Sequence, residues 1–166
     1  MLRKGGVKLA MTGHMHFQYV TEEDGLWEVL SGMLFSRAHL IGNIAVESGR
    51  GVYFARPADL AGYGESVSVE LEKLDGESAE YMEQVFAEVL DKEGIRGGRK
   101  KKVLNLIMKF LRFHGEGSLA EHAQELRDDP SCELMIKALW KYNYGPWMKA
   151  MLEKTKCSSR GLELEW

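Results

Sequence analysis

No run of about eighteen apolar residues occurs in this chain, which excludes a membrane-spanning helix. The opening Met1-Leu2-Arg3-Lys4-Gly5-Gly6 has a basic flank but no apolar core behind it, so it does not read as a signal peptide. Cysteine is scarce. Cys132 and Cys157 lie far apart with no Cys-x-x-Cys, and two free thiols in a reducing cytoplasm are expected. There is no Gly-x-x-x-x-Gly-Lys phosphate loop and no Gly-x-Ser-x-Gly nucleophile turn. Excess charge is also small: a net −3 gives no reason to expect nucleic acid or an anionic membrane as a partner.

What is present is the composition of a soluble globular protein, 45% hydrophobic and 28% charged over 166 residues, enough for one domain or two small units. Residues 1–6 resemble the end of a helix with a Gly-Gly stop. Residues 7–75 are strand-rich. Leu26 to Leu30 follows the turn signal Glu22-Glu23-Asp24-Gly25, and Ile41–Glu47 and Gly51–Ala55 flank Ser48-Gly49-Arg50 as a hairpin. Ser66 to Leu71 alternates at period two and is predicted to be a strand with one wet face. A surface loop is expected over 56–64.

After Asp75-Gly76 the period changes. Ser78 is placed as the cap of a first helix bearing Met82, Val85, Phe86, Val89 and Leu90, ending near Gly94. A second helix runs from about Arg99 to His114, and Ser118-Leu119-Ala120-Glu121 is a capping box for a third. Asp129-Pro130 opens a fourth, and Pro146 a fifth that ends near Lys156. The tail 158–166 has no clear state and is expected to be loose.

The short apolar run Val7-Lys8-Leu9-Ala10-Met11, then Thr12-Gly13-His14-Met15-His16, is the stretch that carries chemistry. Such a run fits a buried strand, and Gly13 lets the backbone turn close to whatever the imidazoles hold. If the chain stays extended, His14 and His16 share a side with Cα atoms roughly 6.5 Å apart. That suits one ligand to each of two metal ions about 3.5–4 Å apart, and histidine is neutral at cellular pH. Taken alone, the pattern is equally consistent with two ordinary loop histidines.

Lys8 to His16 resembles the last sequence block of the calcineurin-like metallophosphoesterases, a strand ending in Gly-His-x-His. Glu28-Val29-Leu30-Ser31-Gly32-Met33-Leu34 is similar to that family's strand and Thr/Ser-Gly-Ser-like turn after the metal loop. Ile44-Ala45-Val46-Glu47 and Gly51-Val52-Tyr53-Phe54 resemble its closing strands. The likeness covers roughly residues 5 to 75. It implies that His14 binds one metal and His16 the other, the ions being Mn, Fe or Zn, and that a metal-bridging hydroxide hydrolyses a phosphate ester. The family's Asp-x-His and Gly-Asp blocks occur nowhere in these residues, and Gly42-Asn43-Ile44 lacks the histidine of its Asn block. The chain therefore reads as the C-terminal portion of such an enzyme, cytoplasmic and inactive or very weak alone. Its missing ligands would come from a separate chain supplying the N-terminal half.

The expected architecture is α+β: a partial β-sandwich of the family's C-terminal strands over 1–76, then a helical region of about five helices over 77–166. An open sheet edge and apolar face would drive pairing with a partner, self-association, or cover by the helices. The alternative is a non-catalytic interaction or structural domain that keeps the metal motif as a relic. His39 is a candidate contact at the substrate rim, weighed against a plain loop histidine. The basic cluster Arg99-Lys100-Lys101-Lys102, with Lys109 and Arg112, reads as a solvated first turn on a core helix. Trp140, Tyr142, Tyr144 and Trp147 read as packing between helices, with a binding surface as the rival.

Overall fold

The computed structural model describes residues 2–12, 18–30, 38–155 and 158–165. The fold is α+β, with two three-stranded sheets and five α-helices among the described residues. The chain divides into two compact units. One comprises Met1–Asp59, Phe113–Glu121 and Thr155–Trp166; the other comprises Leu60–Arg112 and His122–Lys154.

The first unit holds both sheets. After a 3₁₀ turn at Leu2–Gly5 come β1 (Leu9–Thr12), β2 (Tyr19–Glu23) and β3 (Leu26–Leu30), in the order β1-β3-β2. β2 and β3 form an antiparallel hairpin closed by Asp24 (φ 51°) and Gly25 (φ 77°). Positive φ at both positions is the type I′ geometry that matches strand twist. β1 joins β3 from the other side and runs parallel to it. The second sheet has the order β4-β5-β6, all antiparallel: β4 (Leu40–Glu47), β5 (Arg50–Pro57) and β6 (Gly161–Glu165). β4 and β5 turn at Ser48-Gly49, as the sequence predicts.

The tail is not loose, and here the structure corrects the sequence reading. Leu162 and Leu164 alternate with Glu163 and Glu165, so one face of β6 is apolar and the other wet. Leu162 lies opposite Tyr53 and is buried with Val20, Val29 and Tyr53. Leu9, Trp27, Ala55 and Leu164 pack around this cluster, so both sheets feed one core. Among the described residues the outer strands β1, β2, β4 and β6 each pair on one side only.

The second unit is helical. α1 (Glu65–Lys92) begins after Gly64, whose φ of 87° breaks the preceding 3₁₀ turn, and it absorbs the strand expected at Ser66–Leu71. The alternation there is incidental to a helical period: Leu71 is buried while Val69 is exposed. Ser78 is consequently mid-helix and caps nothing, and Gly76 is carried through as an interior helical glycine. α2 (Gly97–Gly115) and α3 (Leu119–Asp128), which take in residues 113–115 and 119–121 of the first unit, and α5 (Tyr144–Lys154) follow at close to their predicted bounds. α4 (Cys132–Ala138) instead stops before Leu139 and Trp140, and Trp140–Tyr142 forms a 3₁₀ turn. Phe86, Leu90, Val103, Ile107, Phe110, Leu126, Met135 and Met148 are buried. The aromatics do pack helices together: Trp147 meets Phe110 edge-to-face at 5.2 Å, and Tyr144 meets Phe86 at 5.2 Å. The Tyr142 hydroxyl donates to Glu93 at 3.0 Å. Trp140 alone of the four stays exposed by half.

Candidate metal site

β1 and β3 are adjacent, parallel and in register, with Leu9 opposite Trp27 and Thr12 opposite Leu30. The Trp27 amide donates to the Lys8 carbonyl at 2.9 Å and fixes the entry to the pair. Both strands therefore finish at one sheet end. The next residue after Thr12 is Gly13, and the next after Leu30 is Ser31. Gly13, His14 and His16 lie outside the described residues, as does Ser31-Gly32. At this end the Thr12 hydroxyl donates to a Glu28 carboxylate oxygen at 2.8 Å, leaving an acidic group beside the strand that leads into the histidine motif.

Two residues after His16 the chain is gripped firmly. Gln18 is 1% exposed. Its Nε2 donates to the Tyr53 hydroxyl at 2.5 Å and to the Ser159 carbonyl at 2.8 Å. The Val20 amide donates to Ser159 Oγ at 3.2 Å, and the Ser159 amide donates to the Gly117 carbonyl at 3.1 Å. Gly117 has φ 69°, and a Cβ there would lie 3.0 Å from Gln18 Cγ, so glycine is required beside the anchor. Sequence reasoning missed Gln18, Tyr53 and Ser159. A polar residue between a motif and a strand carries no periodic signal, and Ser159 is 141 residues away.

His39 precedes β4 in a left-handed conformation (φ 45°), half-buried, with its carbonyl accepting from the Ala58 amide at 2.8 Å. The strand pair β4–β5 thus fixes its backbone. His114 is elsewhere in the first unit, 2% exposed and 6.1 Å edge-on from the Tyr19 ring. Burial pulls its pKa down to about 4, so it is neutral at physiological pH. Among the described residues no group of three or more His, Cys, Asp or Glu is arranged to hold a metal ion. The candidate ligands remain His14 and His16.

The basic cluster is a solvated first turn on a core helix, as expected: Arg99, Lys101 and Lys102 are exposed while Val103, Ile107 and Phe110 are buried. Arg99, Lys102 and Lys109 line a cleft of about 680 Å³ in the second unit, across from Asp129, Pro130 and Leu134. Lys100 is drawn to Asp91 at 2.8 Å and Lys109 to Glu125 at 3.2 Å.

No family model, curated protein or solved structure matches this chain.

Proposed function

We propose that these residues form the C-terminal strands of a calcineurin-like metallophosphoesterase domain and contribute His14 and His16, one to each of two divalent ions, to phosphate-ester hydrolysis. The observation that carries the reading is the in-register parallel pair Thr12–Leu30, which sends the Gly-His-x-His segment and the Ser31-Gly32 segment out from one sheet end. Ligand-binding crevices of sheets with adjacent parallel strands lie at the carboxyl ends of those strands. The core shared by two sheets fits a partial sandwich, and Gln18, two residues beyond His16 in the chain, is fixed by two buried hydrogen bonds.

The chain's own contribution would be the neutral imidazole lone pairs of His14 and His16, with Glu28 accepting a hydrogen bond from Thr12 at the end of β1. Divalent ions, when bound, would stabilise the oxygen charge that grows on phosphorus in the transition state. Each ion needs about four to six ligands. A site with one histidine for each is weak until further ligands from outside these residues complete it.

Calorimetric titration of Mn²⁺, Zn²⁺ and Fe²⁺ tests this reading. Weak binding is expected at pH 7.5, falling away below pH ~6.5 as the imidazoles protonate, and lost in His14→Ala and His16→Ala. Phosphate-ester hydrolysis by the 166-residue chain alone should lie near background. Isotherms of the variants that superpose on the wild type overturn the metal site and leave a non-catalytic interaction domain with a relic motif.

A further inference from the structure

The small net charge conceals a strong segregation. Residues 65–84 hold seven acidic side chains and one lysine, whereas residues 96–112 hold seven Lys or Arg and no acidic residue. Both stretches belong to the helical unit. The acidic stretch is the amino-terminal half of α1. There Glu70, Leu74, Glu77 and Tyr81 fall at successive i, i+4, i+7 and i+11 positions and share one helix face. Leu74 is 50% exposed and Tyr81 66%. Two large apolar side chains standing in solvent in one row with two carboxylates have no function within the unit's own core.

The cleft on α2 has the complementary character. Lys102 and Lys109 are seven residues apart on one face, and Arg99 extends the row. Between and opposite them lie Leu106, Pro130 and Leu134, an apolar floor, and the lining's acidic residue, Asp129, has its carboxylate turned to accept from the Ser131 amide at 2.7 Å. Glu70 and Glu77 are also seven residues apart, so both pairs repeat at about 10.5 Å along their helices, at 1.5 Å per residue. Among the described residues no ion pair involves Glu70, Glu77, Arg99 or Lys102. The one involving Lys109, with Glu125, is half-exposed and exchangeable.

We infer that the acidic face of α1 docks into the basic cleft of a second copy of this chain, and that the exchange is reciprocal and makes a two-fold dimer. Glu70 and Glu77 then sit against Lys102 and Lys109, as flanking charges do in paired helices, while Leu74 and Tyr81 cover the cleft's apolar floor. A two-fold arrangement closes on itself and buries both patches of both copies. The chain's own acidic face favours this occupant over a nucleic acid, because it supplies exposed apolar side chains for the floor as well as carboxylates for the cations.

Sedimentation equilibrium of the full chain tests the inference. A dimer is expected at 50 mM NaCl, weakening ~10-fold or more at 500 mM as the charge pairs are screened. Chains carrying K102E and K109E, or E70K and E77K, should each sediment as monomers. An equimolar mixture of the two should recover the dimer, since both contacts regain opposite charges. All four positions are on the surface, and far-UV circular dichroism checks that the helices persist. Should a reversal variant unfold, Leu74→Ser with Tyr81→Ser gives the same reading by removing the apolar half of the contact. A monomer at 200 μM in low salt, a dimer indifferent to the reversals, or a mixture that stays monomeric overturns the inference. So does a monomer whose cleft takes up oligo-dT.

Discussion

The side-chain amide of Gln18 donates to the hydroxyl of Tyr53, two buried groups 35 residues apart that tie the segment after the histidine motif to the middle strand of the second sheet. The same amide holds the Ser159 carbonyl. Gln18→Leu removes both of these buried hydrogen bonds and should cost ~1–3 kcal/mol; Tyr53→Phe should cost about 1 kcal/mol. The double variant should be less destabilised than the sum, because one bond is counted in both. Urea denaturation of the four proteins measures this. If Gln18 also positions the motif, Gln18→Leu weakens Mn²⁺ binding at a pH and temperature where the protein is still folded.

His114 predicts the acid limb of the stability curve. Its pKa falls from the ordinary 6.5 to about 4 because burial disfavours the imidazolium. Between those values the unfolded chain binds more protons than the folded one, so stability rises with pH. The contribution is complete above pH 6.5 and disappears as pH falls toward 4, about 3 kcal/mol in all. Glu93, Glu125 and Glu133 are held below their usual range by hydrogen bonds from Lys141, Lys109 and Lys137, so their losses begin only below about pH 4.5. Unfolding free energies at pH 7, 6, 5.5 and 5 should therefore slope downward for the wild type and lie nearly flat for His114→Gln.

Strands were legible where a turn residue announced them: Asp24-Gly25 places β3 and Ser48-Gly49 places the β4–β5 hairpin within a residue or two, whereas β2 was missed because Glu22 and Glu23, read as part of the turn, are its last residues. The stripe Val103, Ile107 and Leu111 gave α2, and the capping box Ser118-Leu119-Ala120-Glu121 gave the start of α3. Ser66–Leu71 misled because Val67, Val69 and Leu71 alternate by chance over six residues, and only the helix that continues past Gly76 decides their state. β6 was illegible for the opposite reason. Its pairing partner lies more than 100 residues upstream, and an isolated Leu-Glu-Leu-Glu has no local preference strong enough to declare itself. Of the candidate site, the motif is visible in the sequence. The parallel register that delivers it and the Gln18–Ser159 anchor that follows it depend on contacts across the whole chain.

Two glycines separate backbone crowding from backbone freedom. A Cβ at Gly145 would lie 2.2 Å from the Ile136 carbonyl oxygen and 2.8 Å from the Trp140 nitrogen, backbone atoms that cannot swing aside. Gly145→Ala should destabilise by ~3 kcal/mol or more. Gly76 lies inside α1 with nothing within 4 Å of a Cβ. Gly76→Ala should stabilise by ~0.5–1 kcal/mol, because alanine gives up less backbone freedom on entering the helix. Thermal melts should move in opposite directions, Gly76→Ala upward by about 2–4 °C.

The carboxyl-terminal strand makes the sharpest separation between packing and surface charge. Leu162 is buried against Val20, Val29 and Tyr53, while its neighbour Glu163 meets Arg50 at 3.1 Å in an exposed pair. Leu162→Ala leaves a hole between two sheets and should cost ~2–4 kcal/mol. Glu163→Ala removes only a screened contact and should change stability by less than ~0.5 kcal/mol. Hydrogen exchange offers an independent check, because β6 pairs with β5 from Arg50–Glu165 to Phe54–Gly161. Its bonded amides should be protected in the wild type and exchange much faster in Leu162→Ala. A tail exchanging at the unprotected rate in the wild type, with Leu162→Ala silent, would mean that β6 does not pair and that the second sheet ends at β5.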